Sequence, residues 1–503
     1  MSAIQFKSQR QPKSVFLRVV LACAILFSLG IAAVAAGKLV KVSSDPFSNA
    51  ASEHKTEVEP DTYAHGSTIV STFQVARVFG GGAADIGFAT STNAGSTWTH
   101  GNLPGLTVNF KGGKFASASD PSVIYDVKHG VWLILSLPID NQGRVDVAVS
   151  SSPDGLNWGN PVIVDNSGVD DKSWITCDTT STSPFYGNCY AEWDQGFSTG
   201  DVEMSTSTDG GLTWGPSLRT ADKLAGLGGQ PVVQPNGTVV VPISSDFGGI
   251  ASFTSTNGGA SWNRSVQISG QQYHFQNGDL RSPALPSAAV DGSGTVYVVW
   301  GDCRFRKSCS SDDIVMSTST DGNTWSTVTR IPIDATTSTV DHFIPGLGVD
   351  TNTSGTSAHL AMTYYFYPVS SCSSNCQLEV GFTTSNDGGQ TWTAGTTLAG
   401  PMQLSWIAPS DNGQMVADYL AVSFSNGNPF GIFAVAGPPS GSTLNEVMVT
   451  TTAPLVAAAD TPRFSSADEE PVHHLGNYVR PFLDDEGRTP NPAAGQFAHP
   501  PND

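Results

Sequence analysis

One eight-residue pattern recurs six times along the chain and limits what it can fold into. STNAGSTW (residues 91–98), STDGGLTW (207–214), STNGGASW (255–262) and SNDGGQTW (385–392) share the template Ser-x-Asp/Asn-x-Gly-x-Thr/Ser-Trp. SSPDGLNW (151–158) and TSTDGNTW (318–325) shift the acid by one place. Repetition of this kind marks an array in which each unit buries its face against its neighbours. Within a copy, the Asp or Asn and the hydroxyls accept hydrogen bonds from the turn's own N–H groups. Gly supplies φ > 0, and Trp opens the next strand with a large apolar ring. An acid present in copy after copy serves the turn, because one reaction centre uses one or two acids. Asp209, Asp321 and Asp387 are therefore read as structural.

Each box follows a strand, such as DIGFATS (85–91) or DIVMSTS (313–319). Further upstream lies a pair of strands joined by a short turn: SVIYD and VWLILSL within 122–137, SAAVD and VYVVW within 287–300. About four strands per repeat is the content of a propeller blade. The box tryptophans, Trp98 to Trp392, are spaced 58.8 residues apart on average, so residues 57–451 hold nearly seven such units. An all-β propeller of four-stranded blades is expected, with seven blades favoured and six as the alternative. The last unit, within 418–451, shows three strands and no box, and a strand from 37–56 is expected to complete it as a clasp or else to be a linker. Residues 452–503 are rich in Pro and lack periodicity, which predicts a mostly disordered tail. Charged residues are only 14%, against about 25% in an average chain, which excludes a helix-rich coiled coil.

Residues 1–36 contain Lys7, Arg10, Lys13 and Arg18 and no acid, then the uncharged run VVLACAILFSLGIAAVAAG, ending in small residues. This order predicts an export segment, cleaved or retained as a signal anchor. The chain as a whole carries −20, so the remainder carries −24. Nucleic-acid binding is disfavoured, because it requires basic surface. Cys23 lies within the apolar run, and the other six cysteines fall in three local pairs: Cys177 with Cys189, Cys303 with Cys309, Cys372 with Cys376. In an exported chain these read as disulfides. No His stands at ligand spacing to them, so no metal and no cofactor is expected.

The repeat resembles the Asp-box, or BNR repeat, of the sialidase superfamily over residues 57 to about 451, and the layout is similar to secreted bacterial exo-α-sialidase-like proteins. The resemblance implies Asp-box turns on one face and a functional surface on the other. That other face collects Asp120, Pro121, Asp171, Lys172, Trp174, Gln230, Arg281, Asp341, His342, Asp418 and Tyr419 from the connections between blades. Arg77, Asp140, Arg144, Glu192, Arg304 and Arg306 come to it from loops within blades. The stapled loops Cys303–Cys309 and Cys372–Cys376 lie there too.

Sialidase-type chemistry uses an arginine cluster that clamps a carboxylate, a tyrosine nucleophile activated by a glutamate, and an aspartate as acid/base. The resemblance assigns the clamp to Arg77, Arg281 and Arg304 and the catalytic roles to Asp120, Glu192 and Tyr419, which follow the family's order along the chain. The family's Arg-Ile-Pro motif is absent near the first blade. Tyr364, Tyr365 and Tyr367 compete for the nucleophile's place. The structural alternative is that Asp120, Asp341 and Asp418 cap inner strands, that Arg281 and Arg304 pair with such aspartates, and that Glu192 ends a strand.

Two functions follow. One is an exported glycoside hydrolase of sialidase type acting on terminal sialic acid or a related acidic sugar. The other is a non-catalytic propeller that binds a glycan or protein at the cell surface. Both expect a monomer with a glycan or glycoconjugate as partner, and membrane contact only through an uncleaved N-terminal segment. Three guanidinium groups converging on one point, with a tyrosine bonded to a glutamate, would favour the enzyme.

Overall fold

A computed structural model describes residues 38–472, apart from 197, 247, 374, 458–460 and 467–470. The expectations for residues 1–36, and most of those for the tail, lie outside the described residues. The β-branched and aromatic runs fold as antiparallel strands. Among the described residues the only helical segments are the single 3-10 turns Lys307–Cys309, Gly355–Ser357 and Leu404–Trp406. The protein is all-β.

The recurring unit is a sheet whose strands pair in chain order. Asp171–Cys177, Cys189–Asp194, Val202–Ser207 and Leu218–Arg219 form one four-stranded sheet, and Ser287–Val290, Val296–Asp302, Asp313–Ser319 and Thr329–Arg330 form another. Asp341–Val349, Leu360–Tyr367, Gln377–Ser385 and Thr396–Gln403 repeat the arrangement. The first strand, Leu39–Lys41, pairs antiparallel with Glu446–Thr451, Leu39 opposite Thr451, so the two ends of the described fold share a sheet. Successive sheets meet through their first strands. Ser52–His65, Ser117–Asp126, Asp171–Cys177, Val232–Val233, Ser287–Val290, Asp341–Val349 and Val422–Ser425 touch in that order, and the last touches the first.

The core lies between neighbouring sheets, and the box tryptophans help to fill it. Trp158 packs with Phe88 and Trp132, Trp262 with Tyr190 and Phe253, and Trp392 with Tyr297 and Met362, each between its own sheet and the preceding one. In the box at 207–214, Ser207 Oγ donates to Asp209 Oδ1 (2.9 Å), which accepts from Thr213 N (2.9 Å), while Gly211 adopts φ 81°. The backbone N–H groups of Thr324 and Asn323 hold the exposed Asp321 carboxyl down at about 2. The box acids are turn fasteners.

The inner edges pose a separate problem, because strands that diverge around an axis cannot satisfy one another's N–H groups by sheet pairing. Side chains of one inner strand take over this task for the next. Val123 N donates to Asp61 Oδ2 (2.7 Å), Ile175 N to Ser122 Oγ (3.0 Å), Ala288 N to Gln230 Oε1 (2.9 Å) and Leu347 N to Ser287 Oγ (3.1 Å). Four inner strands carry an irregularity in register, between Val58/Asp61, Ser119/Ser122, Asp171/Trp174 and Phe343/Gly346. Each places one residue at positive φ: Glu59 (54°), Asp120 (44°), Lys172 (39°) and Ile344 (49°). A left-handed non-glycine residue costs on the order of 1–3 kcal/mol, and a bulge re-aims its side chain.

The three local disulfides form as expected, Cys177–Cys189, Cys303–Cys309 and Cys372–Cys376. Non-reducing peptide mapping of the folded protein is expected to recover these three links, and six alkylatable thiols would contradict them. Of the tail, Arg463–Ser465 pairs with Thr391–Thr393.

Candidate functional site

The bulges aim three charged side chains at one point on the axis. Lys172 Nζ lies 2.6 Å from Asp418 Oδ2, 3.6 Å from Asp120 Oδ1 and 3.7 Å from Glu59 Oε1. Arg281 closes on the same Asp418 with two parallel bonds, Nε to Oδ1 (2.8 Å) and Nη2 to Oδ2. Gln74 Nε2 donates to Glu59 and, at 3.1 Å, to Ser119 Oγ, which donates to Asp120 Oδ1 at 3.2 Å. All these charged side chains are withdrawn from solvent, with Lys172 1% and Arg281 0% exposed.

Such burial penalises charge, so the charges must be read together. Burial alone would raise the Asp418 carboxyl, but Arg281 and Lys172 hold it well below the usual carboxylate range. Asp120 goes the other way. Burial pushes it well above the ordinary value, Lys172 opposes this, and Glu59 adds to it. Burial would lower Lys172, yet Asp120, Asp418 and Glu59 hold its ammonium firmly protonated. Asp418 is thereby shared by both cations.

Of the residues expected to build a site, the fold brings Asp120, Arg281 and Tyr419 together and leaves Arg77, Glu192 and Arg304 apart. The Tyr419 hydroxyl donates to the Pro121 carbonyl (3.3 Å), and its ring meets Trp174 edge-on at 5.1 Å. Burial, then the charges of Glu59 and Asp120, push its hydroxyl far above the usual range. Glu192 instead faces the backbone of Gly229, where a Cβ would lie 2.5 Å from Glu192 Oε1. Burial raises its carboxyl well above the usual range, opposed by the Gly229 N–H.

The arginine clamp is not formed. The Arg77 guanidinium donates to the carbonyls of Gly82 (2.6 Å) and Val78 (3.0 Å). Arg304 grips Asp302 through Nε (2.9 Å) and Nη2 (2.6 Å), with a further bond to the Gly270 carbonyl (2.6 Å). Arg281 belongs to Asp418. The acceptors of Arg77 and Arg304 include groups within five residues along the chain, and that of Arg281 is Asp418, just before the strand Val422–Ser425. The competing tyrosines are buried too, with the Tyr365 hydroxyl on the Ala434 carbonyl (3.0 Å).

A second ion-pair network lies beside the Cys303–Cys309 loop. Asp313, Asp334 and His342 bring donor atoms within 4.8 Å of one another, a spacing that suits a metal. Both carboxylates already accept from Arg306 and Arg330, at 2.5–2.8 Å. Guanidinium supplies the charge that a cation would bring, so these residues do not fit a metal site.

The accessible space lies along the axis on the other side of the charge cluster. A cavity of about 220 Å3 is lined by the inner strands from Trp174 and Gln230 to the turns holding Thr179 and Asp350 and to Phe424 near the end of Val422–Ser425. Trp174 and Gln230 also border a smaller void that reaches Lys172 and Tyr419. The turns that follow the inner strands share a face with the boxes, since Cys177, Cys189 and Ser207 are neighbours across the sheet. The cavity therefore runs towards the box face, whereas the functional surface was expected on the opposite one. Sequence reasoning also missed Glu59 and Gln74. The first carried a signal: Glu59-Pro60-Asp61 repeats the form of Asp120-Pro121-Ser122.

No curated protein matches the chain. A Dyadobacter fermentans protein of unknown function is similar in structure at 17% identity and a TM-score of 0.44, covering 69% of this chain and 99% of its own. The intramolecular trans-sialidase of Ruminococcus gnavus is similar at 14% identity and 0.39, covering 78% and 92%. An ulvan lyase of polysaccharide lyase family PL25 is similar at 12% identity and 0.49, covering 82% and 95%. The family model that matches is the BNR repeat-like domain, over residues 140–349. The matched residues hold four of the six boxes, so what this stretch is similar to, a BNR repeat-like domain, coincides with the recurring motif.

Proposed function

We propose that the chain is an exported, seven-bladed BNR propeller that binds glycan at the cell surface without hydrolysing sialosides. The blade number is supported by the seven first strands that touch in a closed cycle and by the N-terminal strand that completes the last sheet. Export is supported by the order of residues 1–36 and by three disulfides.

One observation carries the choice between binding and turnover. Arg77, Arg281 and Arg304 each spend their guanidinium on a separate internal acceptor, so no clamp awaits a substrate carboxylate. Tyr419 donates to a backbone carbonyl and not to Glu192. The groups expected to receive the charge of a sialidase-type transition state are therefore not assembled among the described residues. The test is a glycan array probed with the purified exported protein, followed by mass spectrometry of the bound glycans. Selective binding with the glycans recovered intact is expected. An array without binders, or bound glycans recovered shortened, would refute the proposal.

A further inference from the structure

The axial cavity has a chemical character of its own. Among the side chains that line it there is no Arg, Lys or His, and its only ionisable acids are Asp61 and Asp350. Both acids are occupied by the fold. Asp61 accepts from Thr62 N (2.8 Å) and Val123 N (2.7 Å), and burial pushes its carboxyl up to about 7. Asp350 Oδ1 accepts from Asn352 N (3.0 Å) and Nδ2 (2.9 Å). An anion entering the cavity would find no cation in a chain that carries −20, and a cation would find no free carboxylate pair.

What the cavity does offer is ring surface and hydroxyl-sized polar groups. Trp174 stands at the deep end, half-buried, with Tyr63 and Phe424 along the walls. Thr176 and Thr179 are half-buried beside them, and Gln230 is fixed at the floor by the bond from Ala288 N. Aromatic faces with a few fixed polar groups are the usual lining of a small-molecule site. The volume of about 220 Å3 is below the roughly 300–1,000 Å3 of sites that take drug-sized ligands, which limits the occupant to about one ring.

We infer that this cavity is the glycan site and that it takes an uncharged sugar ring, such as the terminal pyranose of a neutral glycan, and excludes sialic and uronic acids. The inference rests on the proposed glycan binding and adds its place and its substrate class.

The experiment titrates the full exported chain with the methyl glycosides of glucose, galactose, mannose and N-acetylglucosamine, and with methyl sialoside and methyl glucuronide. Hydrogen exchange is followed with and without the tightest binder. A neutral glycoside is expected to bind and to protect amides of residues 174–179 and 421–424, while the two acids do not bind. Thr176→Arg, which fills the cavity and brings a cation into it, should weaken that binding about ten-fold or more. Should this variant fail to fold, Trp174→Ala removes the ring at the floor instead, and the exchange pattern of the unaltered protein stands independently of both. Neutral glycosides bound with protection confined elsewhere, or equally well by the folded variants, would overturn the site and leave glycan binding in place. Preference for the acids would overturn the substrate class alone. A chain that binds none of these glycosides and nothing on the array loses both the inference and the reading beneath it.

Discussion

Asp418→Asn is expected to lower the stability of the folded protein by about 3–5 kcal/mol, the cost typical of removing one partner from a buried ion pair. Asp418 is the carboxylate that both axial cations share, with Lys172 at 2.6 Å and Arg281 bonded to both its oxygens. Asparagine keeps the shape and removes the charge. Lys172 would then rely on Asp120 and Glu59 at 3.6 and 3.7 Å, further away than Asp418. Arg281 would lose the carboxylate that takes both its Nε and its Nη2. Denaturant unfolding followed by tryptophan fluorescence reads the effect as a lower midpoint. A change of less than about 0.5 kcal/mol, the range of ordinary surface substitutions, would mean that the cluster is solvated and free to serve a ligand.

The second large effect is an inverted dependence of stability on pH. Burial pushes the carboxyls of Glu57 and Asp61 up to about 7 and that of Asp170 up to about 8, the last helped by Asp165. Asp85, Glu192 and Glu446 move the same way for the same first cause. A carboxyl whose pKa is raised on folding binds its proton more tightly in the native state, so its contribution is fully present below the unfolded value. It is lost as pH rises through the folded one. For these groups that window runs from about pH 4 to about pH 8. Asp321, held at about 2, and Asp418 act in the opposite sense, but their contribution is complete once pH exceeds the unfolded carboxylate value. Stability should therefore peak near pH 4.5–5 and fall by several kcal/mol towards pH 8. Thermal unfolding at constant ionic strength checks this. A melting temperature that rises from pH 5 to pH 8 would show that the buried carboxyls are ionised and paired.

The architecture was legible because it depends on local chemistry repeated many times. Six boxes, four on the template Ser-x-Asp/Asn-x-Gly-x-Thr/Ser-Trp and two with the acid shifted, carry the turn and its tryptophan in eight residues each. The cysteine pairs are equally local, and they pair as their spacing implied. The site was only half legible. Asp120, Lys172, Arg281, Asp418 and Tyr419 could be assigned to one face, because that follows from where each strand begins. Which of them meet depends on bulges at Glu59, Asp120 and Lys172 that turn side chains inward, and a bulge displaces a side chain without altering the hydrophobic pattern that reveals the strand. The arginines show the same limit. Arg77, Arg281 and Arg304 follow a family's order along the chain, but sequence order says nothing about whether each finds an acceptor closer to hand, as each does.

The most direct measurement is a single-turnover assay of the purified exported chain with 4-methylumbelliferyl sialoside in excess enzyme, at pH 5 and pH 7, beside Tyr419→Phe. With the arginines committed to internal acceptors and Tyr419 bonded to the Pro121 carbonyl, no release of methylumbelliferone above the buffer rate is expected from either protein. Release by the unaltered chain that disappears in Tyr419→Phe would contradict this, since it would require the axial cluster to open and Tyr419 to reach a substrate.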